Sequence, residues 1–136
     1  MDGYTFKEMI PPVDNYMALR NAVHWITASR EACERALKHT LYAVCVWHDG
    51  HMIGQARVVG DDSVAFYIQD VIVHPDHQGK GIGKAILQMI LAYIRSQASP
   101  GSFIGLMAAE HASGFYEQFG FSKRPETMPG MGMRIP

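Results

Sequence analysis

The stretch Val71-Ile72-Val73-His74-Pro75-Asp76-His77-Gln78-Gly79-Lys80-Gly81-Ile82-Gly83-Lys84 decides the fold of this chain. A β-branched apolar run stops before Pro75, a polar loop follows, and glycines at alternate positions open a segment with helical apolar spacing. The order predicts a strand, a loop and a helix N-terminus. A helix's first turn has backbone N–H groups without intrahelical partners and a partial positive charge. Glycine lets a ligand approach those donors, so the stretch predicts a phosphate or pyrophosphate site.

Two common phosphate-binding patterns fail on this stretch. A P-loop needs Gly, four residues and Gly-Lys-Ser/Thr. Here Gln78 stands where the first Gly belongs, and Ala85 replaces the hydroxyl that would hold magnesium. A Rossmann G-x-G-x-x-G that starts at Gly79 would place its third Gly at Lys84, and the loop comes past the middle of a short chain.

A third pattern, Gln/Arg-x-x-Gly-x-Gly/Ala, matches at Gln78, Gly81 and Gly83. On this motif the chain resembles the GNAT family of N-acetyltransferases, which bind acetyl-coenzyme A. The resemblance implies that the backbone of three strand residues holds the pantetheine arm and that the loop holds pyrophosphate. The implied pantetheine residues are Val71, Ile72 and Val73; the implied pyrophosphate residues are Gln78, Gly79, Lys80, Gly81, Ile82, Gly83 and Lys84. The amide matching Val73 would also polarise the thioester carbonyl.

A second match lies near the C-terminus, where residues 112–121 resemble the family signature Ala-x-x-Phe-Tyr-x-x-x-Gly-Phe at every fixed position. The resemblance implies that Tyr116 contacts the cofactor and protonates the departing thiolate. Many family members carry Asn where this chain has Ala109, so the resemblance implies that one pantetheine contact is either missing or supplied by Ser113. A half-buried structural tyrosine is the alternative for Tyr116.

The proton acceptor for the amine is the least specified part of the predicted site. Family members often place Glu or His at the strand positions that match Tyr67 and Gln69, and neither residue here is a useful base at neutral pH. Asp70 is the candidate base, reached through ordered water, although alternation along a strand points it to the opposite face unless a bulge turns it. A structural hydrogen-bond acceptor is its alternative role. Glu110 and His111 are further candidates by position.

Apolar periodicity and turn residues predict the remaining elements. We expect a mixed, mostly antiparallel sheet flanked by helices on both faces, in one N-acetyltransferase domain over residues 1–136. The predicted strands are 4–9, 41–47, 52–59, 64–73, 103–107, 122–124 and 131–135, with 103–107 central in the sheet. The predicted helices start at Val13, after Ser29 and at Ile82, and the first has helical spacing through Ile26. A further short helix is predicted within 108–119. An Asp49-Gly50 hairpin turn joins the second and third strands.

Composition excludes several classes of function. A net charge of −1 over 136 residues gives no electrostatic case for nucleic acid or an anionic membrane. The N-terminus lacks a signal-peptide pattern, and no apolar run approaches the roughly 18 residues of a spanning helix. Cys33 and Cys45 lack metal-site spacing, which predicts reduced thiols in a cytoplasmic protein. The histidines near the two turns are read as solvated loop residues, so we expect no metal site.

These observations predict an acetyl-coenzyme-A-dependent N-acetyltransferase in which a primary amine of a small molecule attacks the thioester directly. The alternatives are a coenzyme-A-binding regulatory module with weak catalysis, which the missing base favours, and a nucleotide-binding domain. By resemblance, residues 24–26 and 126–131 would line the acceptor pocket, and their Trp and Met content favours an apolar amine. A protein N-terminus or lysine is not excluded as acceptor. The resemblance also allows a homodimer, which no residue pattern specifies.

Overall fold

A five-stranded sheet forms the centre of the part of the chain that ends at Leu106. The computed structural model describes residues 2–136 and divides the chain into two units, one ending at Leu106 and the other Met107–Pro136. Met1, the first residue of the predicted domain and of the segment searched for a signal peptide, lies outside the described residues. The single-domain assignment stays a prediction. The strands are β1 (Thr5–Glu8), β2 (Tyr42–His48), β3 (His51–Gly60), β4 (Ala65–Val73) and β5 (Phe103–Gly105), and the helices of this unit are α1 (Val13–Ala22), α2 (Arg30–Lys38) and α3 (Ile82–Gln97).

The strands lie in the order β1-β2-β3-β4-β5. The first three pairings are antiparallel, and β4 pairs with β5 in parallel. The β2–β3 hairpin turns at Asp49-Gly50, both with positive φ (49° and 77°), as a two-residue primed turn requires. The predicted mixed, mostly antiparallel sheet is therefore confirmed. Residues 103–107 are not a central strand: β5 spans three residues and is the edge of the described sheet.

The two faces of the sheet carry different helices. Six residues of α3 are buried: Ile82, Ile86, Leu87, Ile90, Leu91 and Ile94. A Cβ added to Gly54 of β3 would lie 3.3 Å from Ile86 Cδ1, which places α3 on the Gly54 face. On the opposite face, Leu19 of α1 packs with Cys45 and Ile72. Helices therefore cover both faces, as the sequence predicts.

Helix α1 ends four residues before Ile26, the last residue of the predicted helical pattern. The His24 N–H donates to Asn21 O, the Trp25 N–H donates to Arg20 O, and His24 has a φ of 62°. These are the two hydrogen bonds of a Schellman cap, with His24 in the left-handed position usually held by glycine. The predicted extension to Ile26 is wrong, and Ile26 is 74% exposed.

The second unit contains one short helix, α4 (Ser113–Glu117). Phe115 and Phe119 meet at i, i+4 with ring centroids 5.4 Å apart. The predicted strands 122–124 and 131–135 are wrong, because residues 122–136 form neither strand nor helix and are all exposed. Met131, Met133 and Ile135 alternate as strand residues do, but alternation produces a strand only where a hydrogen-bonding partner is available.

Candidate active site

The glycine loop folds as a left-handed cap on helix α3. Gly81 is the N-cap residue with a φ of 84°, and Gly79 has a φ of 78°. The Ala85 N–H makes the helix's first bond, 3.1 Å to Gly81 O. The N–H groups of Ile82, Gly83 and Lys84 therefore have no intrahelical acceptor. The first turn has no acidic residue, so its partial positive charge is not neutralised locally.

Strand β4 has an open edge immediately before this loop. The pairing with β5 covers only Ala65, Phe66 and Tyr67, so β5 does not reach Val71–Val73. The His74 N–H donates to Ile53 O on β3 (2.7 Å), whereas Val73 O accepts from Gln78 Nε2 (2.9 Å). Backbone groups of successive strand residues point in alternate directions. The Val73 N–H therefore faces away from β3, toward the open edge.

Strand β4 has a bulge just before this open edge. Arg57 of β3 lies opposite Gln69 and Gln55 lies opposite Ile72, so the single residue Ala56 faces the two residues Asp70 and Val71. Asp70 adopts a φ of 58°. A bulge bends its strand and increases the local twist, which accounts for the end of β4–β5 pairing before Asp70.

The donors in this region suit the diphosphate and amide-containing arm of coenzyme A. Free first-turn amides, an exposed glycine cap and the cations Lys80 and Lys84 suit the anionic diphosphate. The open edge of β4 suits an extended amide chain, which pairs with a strand edge as another strand would. The residues present therefore fit coenzyme A, with Gln78 to Lys84 and Val71 to Val73 as the groups that would hold it.

Asp70 is the centre of a buried charged cluster on the α1 face. Its Oδ2 accepts hydrogen bonds from Tyr16 Oη and Arg57 Nε, both at 2.7 Å, and its Oδ1 accepts from Arg20 Nη1. The Asp70 side chain is 1% exposed. Burial, together with the Asp70 charge and its hydrogen bond, raises the pKa of Tyr16 to about 12. Both Asp70 oxygens already have charged partners, which favours the structural role over that of a base; the base role stays a prediction.

The three partners of Asp70 are not among the residues that the sequence predicts for the site. Tyr16 falls at the apolar spacing of α1, which indicates packing, and neither Arg20 nor Arg57 stands in a motif. One signal was available, because Arg57 is the single Asp, Glu, Lys or Arg residue in the mostly buried strand β3 and requires a buried counter-charge. The positions expected for a base, Tyr67 and Gln69, are half-buried on β4, in register with Val59 and Arg57 of β3.

In the second unit, Tyr116 is buried within α4, and its ring contacts Phe115 and Phe121 at centroid distances of 5.1 and 6.1 Å. Burial raises the pKa of Tyr116 to about 12, so the phenol stays protonated at neutral pH. Ser113 is the first residue of α4 and is half-buried. Glu110 and His111 are exposed and lie 3.3 Å apart.

The loop histidines form a ring cluster with Tyr4. The His77 ring lies 5.1 Å from that of His48 and 6.1 Å from that of His74, and Tyr4 Oη lies 2.7 Å from His77 Nδ1. Loss of water contact and unfavourable electrostatic interactions with His48 and Lys80 lower the pKa of His77. Within residues 2–136, no group of three or more His, Cys, Asp or Glu side chains could hold a metal ion. Both cysteines are free and buried.

The comparisons with known proteins agree with this geometry. A family model described as an acetyltransferase (GNAT) domain matches residues 39–123. The uncharacterized N-acetyltransferase ycf52 of Porphyra purpurea is 30% identical over 117 residues, covering 83% of this chain and 66% of the relative. Serotonin N-acetyltransferase 2, chloroplastic, of Oryza sativa subsp. japonica is 32% identical over 108 residues, covering 74% of this chain and 52% of the relative. The chain thus spans less than two thirds of the length of either relative.

A solved structure from methicillin-resistant Staphylococcus aureus, described as a probable acetyltransferase of unknown function, superposes with a TM-score of 0.92 at 30% identity. The match covers 97% of this chain and 99% of that one. The sheet with its bulged β4 and glycine-capped helix defines an acetyltransferase fold. The chain belongs to the GNAT family of N-acetyltransferases. Among residues 2–136, no helix is long and apolar enough to cross a membrane.

Proposed function

We propose that this protein is an acetyl-coenzyme-A-dependent N-acetyltransferase that acts on a primary amine of a small molecule. One observation carries the proposal: the unpaired edge of β4 leads directly into the glycine cap of α3. An extended amide arm on that edge would place its diphosphate at the free amides of residues 82–84. Family membership supports the same cosubstrate.

The transferred acetyl group arrives as a thioester, whose carbonyl carbon forms a C–N bond with the amine as the C–S bond breaks. The Val73 N–H faces the open edge and is the donor we assign to the carbonyl oxygen. A fixed backbone donor stabilises the negative charge that develops on this oxygen during attack. The amine loses one proton, and the coenzyme A thiolate gains one.

We assign the donation to the leaving sulfur to Tyr116. A thiol has a reference pKa of about 8.5, well below the pKa of about 12 that burial gives Tyr116. Complete transfer of the phenolic proton in the ground state is therefore uphill. Tyr116 is proposed to hydrogen-bond the sulfur and to release its proton only as the C–S bond breaks and negative charge accumulates there.

We assign removal of the amine's proton to water. The Asp70 side chain is 1% exposed and both of its oxygens already accept hydrogen bonds, so we do not assign it direct contact with the amine. The sequence predicts Asp70 as the terminal acceptor of this proton, which would reach it through water. The rate is then expected to rise with pH toward the amine's own pKa, near 10.4 for a simple alkylamine.

A thiol-release assay tests the proposal. Purified protein with acetyl-coenzyme A and a panel of amines (arylalkylamines, polyamines, amino sugars, and peptides with free N-termini or lysines) is expected to release thiol with the arylalkylamines. The name of the rice relative supports that class. Coenzyme A binding without thiol release from any amine would instead support the alternative of a coenzyme-A-binding regulatory module, which the absence of Glu or His at positions 67 and 69 favours.

Two further predictions concern the setting of the protein. The sequence predicts a cytoplasmic location, and the family resemblance allows a homodimer. Cell fractionation and light scattering of the purified protein are the measurements that check them.

A further inference from the structure

Two side chains in the part of the chain that the structure describes have buried hydrogen-bonding atoms without partners. Gln55 of β3 is 1% exposed, and neither its Oε1 nor its Nε2 has a hydrogen-bond partner. The indole Nε1 of Trp47 on β2 is also buried and unpartnered. A buried polar group without a partner costs stability. A carboxamide with both ends unsatisfied is therefore unusual in a core.

Both side chains lie at one face of the sheet. Gln55 is paired in register with Cys45 of β2 and with Ile72 of β4. Cys45 and Ile72 belong to the cluster beneath Leu19 of α1, and Trp47 packs against that cluster. The unpartnered atoms are thus on the α1 face, away from α3.

This position relates directly to the open edge of β4. Ile72, which is opposite Gln55, immediately precedes Val73, whose N–H we assign to the thioester carbonyl. Neighbouring strands are about 4.8 Å apart. Gln55 on β3 and Trp47 on β2 are therefore about one and two strand spacings from the strand that would hold the reacting thioester. At these distances from the thioester, Gln55 and Trp47 would reach a group at the far end of a short amine. They would not contact the amine nitrogen, which must lie at the thioester.

We propose that Gln55 and Trp47 form the polar end of the acceptor pocket, where they bind one hydroxyl or N–H group of an aromatic amine. This inference rests on the proposed function. The carboxamide both donates and accepts, and the indole donates. Together they can satisfy a hydroxyl, which also does both.

The residues around Gln55 and Trp47 indicate which kind of amine would fit beside them. The partly buried residues around the cluster are Met9, Val23, Trp25 and Trp47, which give apolar and aromatic walls. The carboxylate on this face, Asp70, is already paired with two guanidinium groups and offers no free negative charge to a polycation. The chemistry fits an arylalkylamine whose ring carries one hydrogen-bonding group.

The competing explanation is that Gln55 is only an unsatisfied core residue. In that case Gln55→Met, which keeps the side-chain length and removes the unpartnered amide, would raise the unfolding temperature and change no ligand binding. The proposal expects the same gain in stability together with a loss of ligand discrimination. The two explanations are therefore separated by binding.

The experiment compares tyramine with 2-phenylethylamine, which lacks only the ring hydroxyl. Each is titrated calorimetrically into protein with and without saturating coenzyme A, so that no turnover is needed. Wild type is expected to bind tyramine roughly fivefold to tenfold more tightly, the value of about one hydrogen bond. Gln55→Met is expected to bind the two amines equally. The matched control Gln88→Met, at an exposed position on α3, is expected to keep the wild-type preference.

Equal affinity of wild type for the two amines, or no binding of either, overturns the proposal. So does an unchanged tyramine preference in Gln55→Met. If that variant does not fold, Trp47→Phe removes the indole donor and must reduce the preference. The proposed function is contradicted by different observations, namely that the protein does not bind coenzyme A or does not release thiol. Those observations do not affect the comparison of the two amines by calorimetry.

Discussion

At the scale of single residues, Asp70 shows how far sequence can assign a role. Its position beside the expected acetyl site made it a candidate base, and a bulge was needed to bring it to the site. The bulge exists, with Asp70 at a φ of 58°. Its partners Tyr16 and Arg20, 54 and 50 residues away along the chain, could not be identified from local patterns. Those partners favour a structural role.

We expect Asp70→Asn to destabilise the fold by about 3–5 kcal/mol, because it leaves buried Arg57 and half-buried Arg20 without their counter-charge. Urea unfolding of the variant measures the effect. The control is Asp14→Asn, which breaks an exposed ion pair with Arg30 and should leave the urea midpoint nearly unchanged. Equal stability of Asp70→Asn and wild type would contradict the structural role. If the folded variant instead loses turnover that high pH restores, Asp70 is the base after all.

Tyr116→Phe tests the assignment of the donor to sulfur. The variant keeps the ring, which packs against Phe115 and Phe121, and removes only the hydroxyl. General-acid catalysis is worth roughly 10²–10⁴ in rate. Because the pKa of Tyr116 is raised to about 12, we expect a fall in kcat near the lower end, about 10²-fold. Affinity for acetyl-coenzyme A should stay near the wild-type value. Wild-type turnover in the variant would make Tyr116 a packing residue and solvent the proton donor.

At the scale of elements, local patterns predicted what local physics determines. The glycine cap, α3 and the Asp49-Gly50 hairpin follow from the conformations and spacing of neighbouring residues, and each was found. The short β5 and the missing C-terminal strands could not be predicted, because strands require partners from elsewhere in the chain. The open edge of β4, on which the candidate site depends, is likewise a property of pairing: β5 pairs only with Ala65, Phe66 and Tyr67.

Substitution of Gly81 tests whether the cap of α3 binds pyrophosphate. Gly81→Val forces a β-branched residue into a φ of 84° and places a side chain over the free amides. We expect affinity for coenzyme A to fall at least about tenfold, or 1.4 kcal/mol, by calorimetric titration. Gly101→Val is the matched control, because Gly101 has a φ of 86° and open space around its Cβ but lies in the turn before β5. It should share the cost in stability and keep the affinity. Unchanged affinity in folded Gly81→Val would remove the pyrophosphate assignment.

At the scale of the whole unit that ends at Leu106, the two faces of the sheet differ in chemistry. The face under α3 is packed with aliphatic side chains and presents the capped helix end to the cosubstrate. The face under α1 carries the polar and charged groups: Asp70 with its arginines, and unpartnered Gln55 and Trp47. Burying these groups is costly unless they are paired or used. Their concentration on one face is the reason for placing the acceptor there.

The buried acids of this unit also determine how its stability responds to alkali. Burial raises the pKa of the Cys45 thiol from 9.0 to about 12, and that of Tyr16 from 10.0 to about 12. Below pH 9 the unfolded and folded chains hold both protons, so these groups make no difference to pH dependence. Above pH 9 the unfolded chain loses the thiol proton first, and above pH 10 the phenolic proton, while the folded chain keeps both. Stability must therefore fall as pH rises from 9 toward 12.

Urea melts at half-unit intervals between pH 8 and 11 measure the free energy of unfolding. We expect Cys45 and Tyr16 to contribute no pH dependence to it below pH 9. It should then fall by up to about 1.4 kcal/mol per pH unit for each group that titrates only in the unfolded chain. Cys45→Ala should remove the fall between pH 9 and 10 and keep the one above pH 10, although the cavity it creates lowers stability at every pH. Cys33→Ala controls for loss of a buried thiol at another place in the fold. A Cys45→Ala profile parallel to wild type between pH 9 and 10 would show that the buried thiol ionises as readily in the folded chain as in the unfolded one.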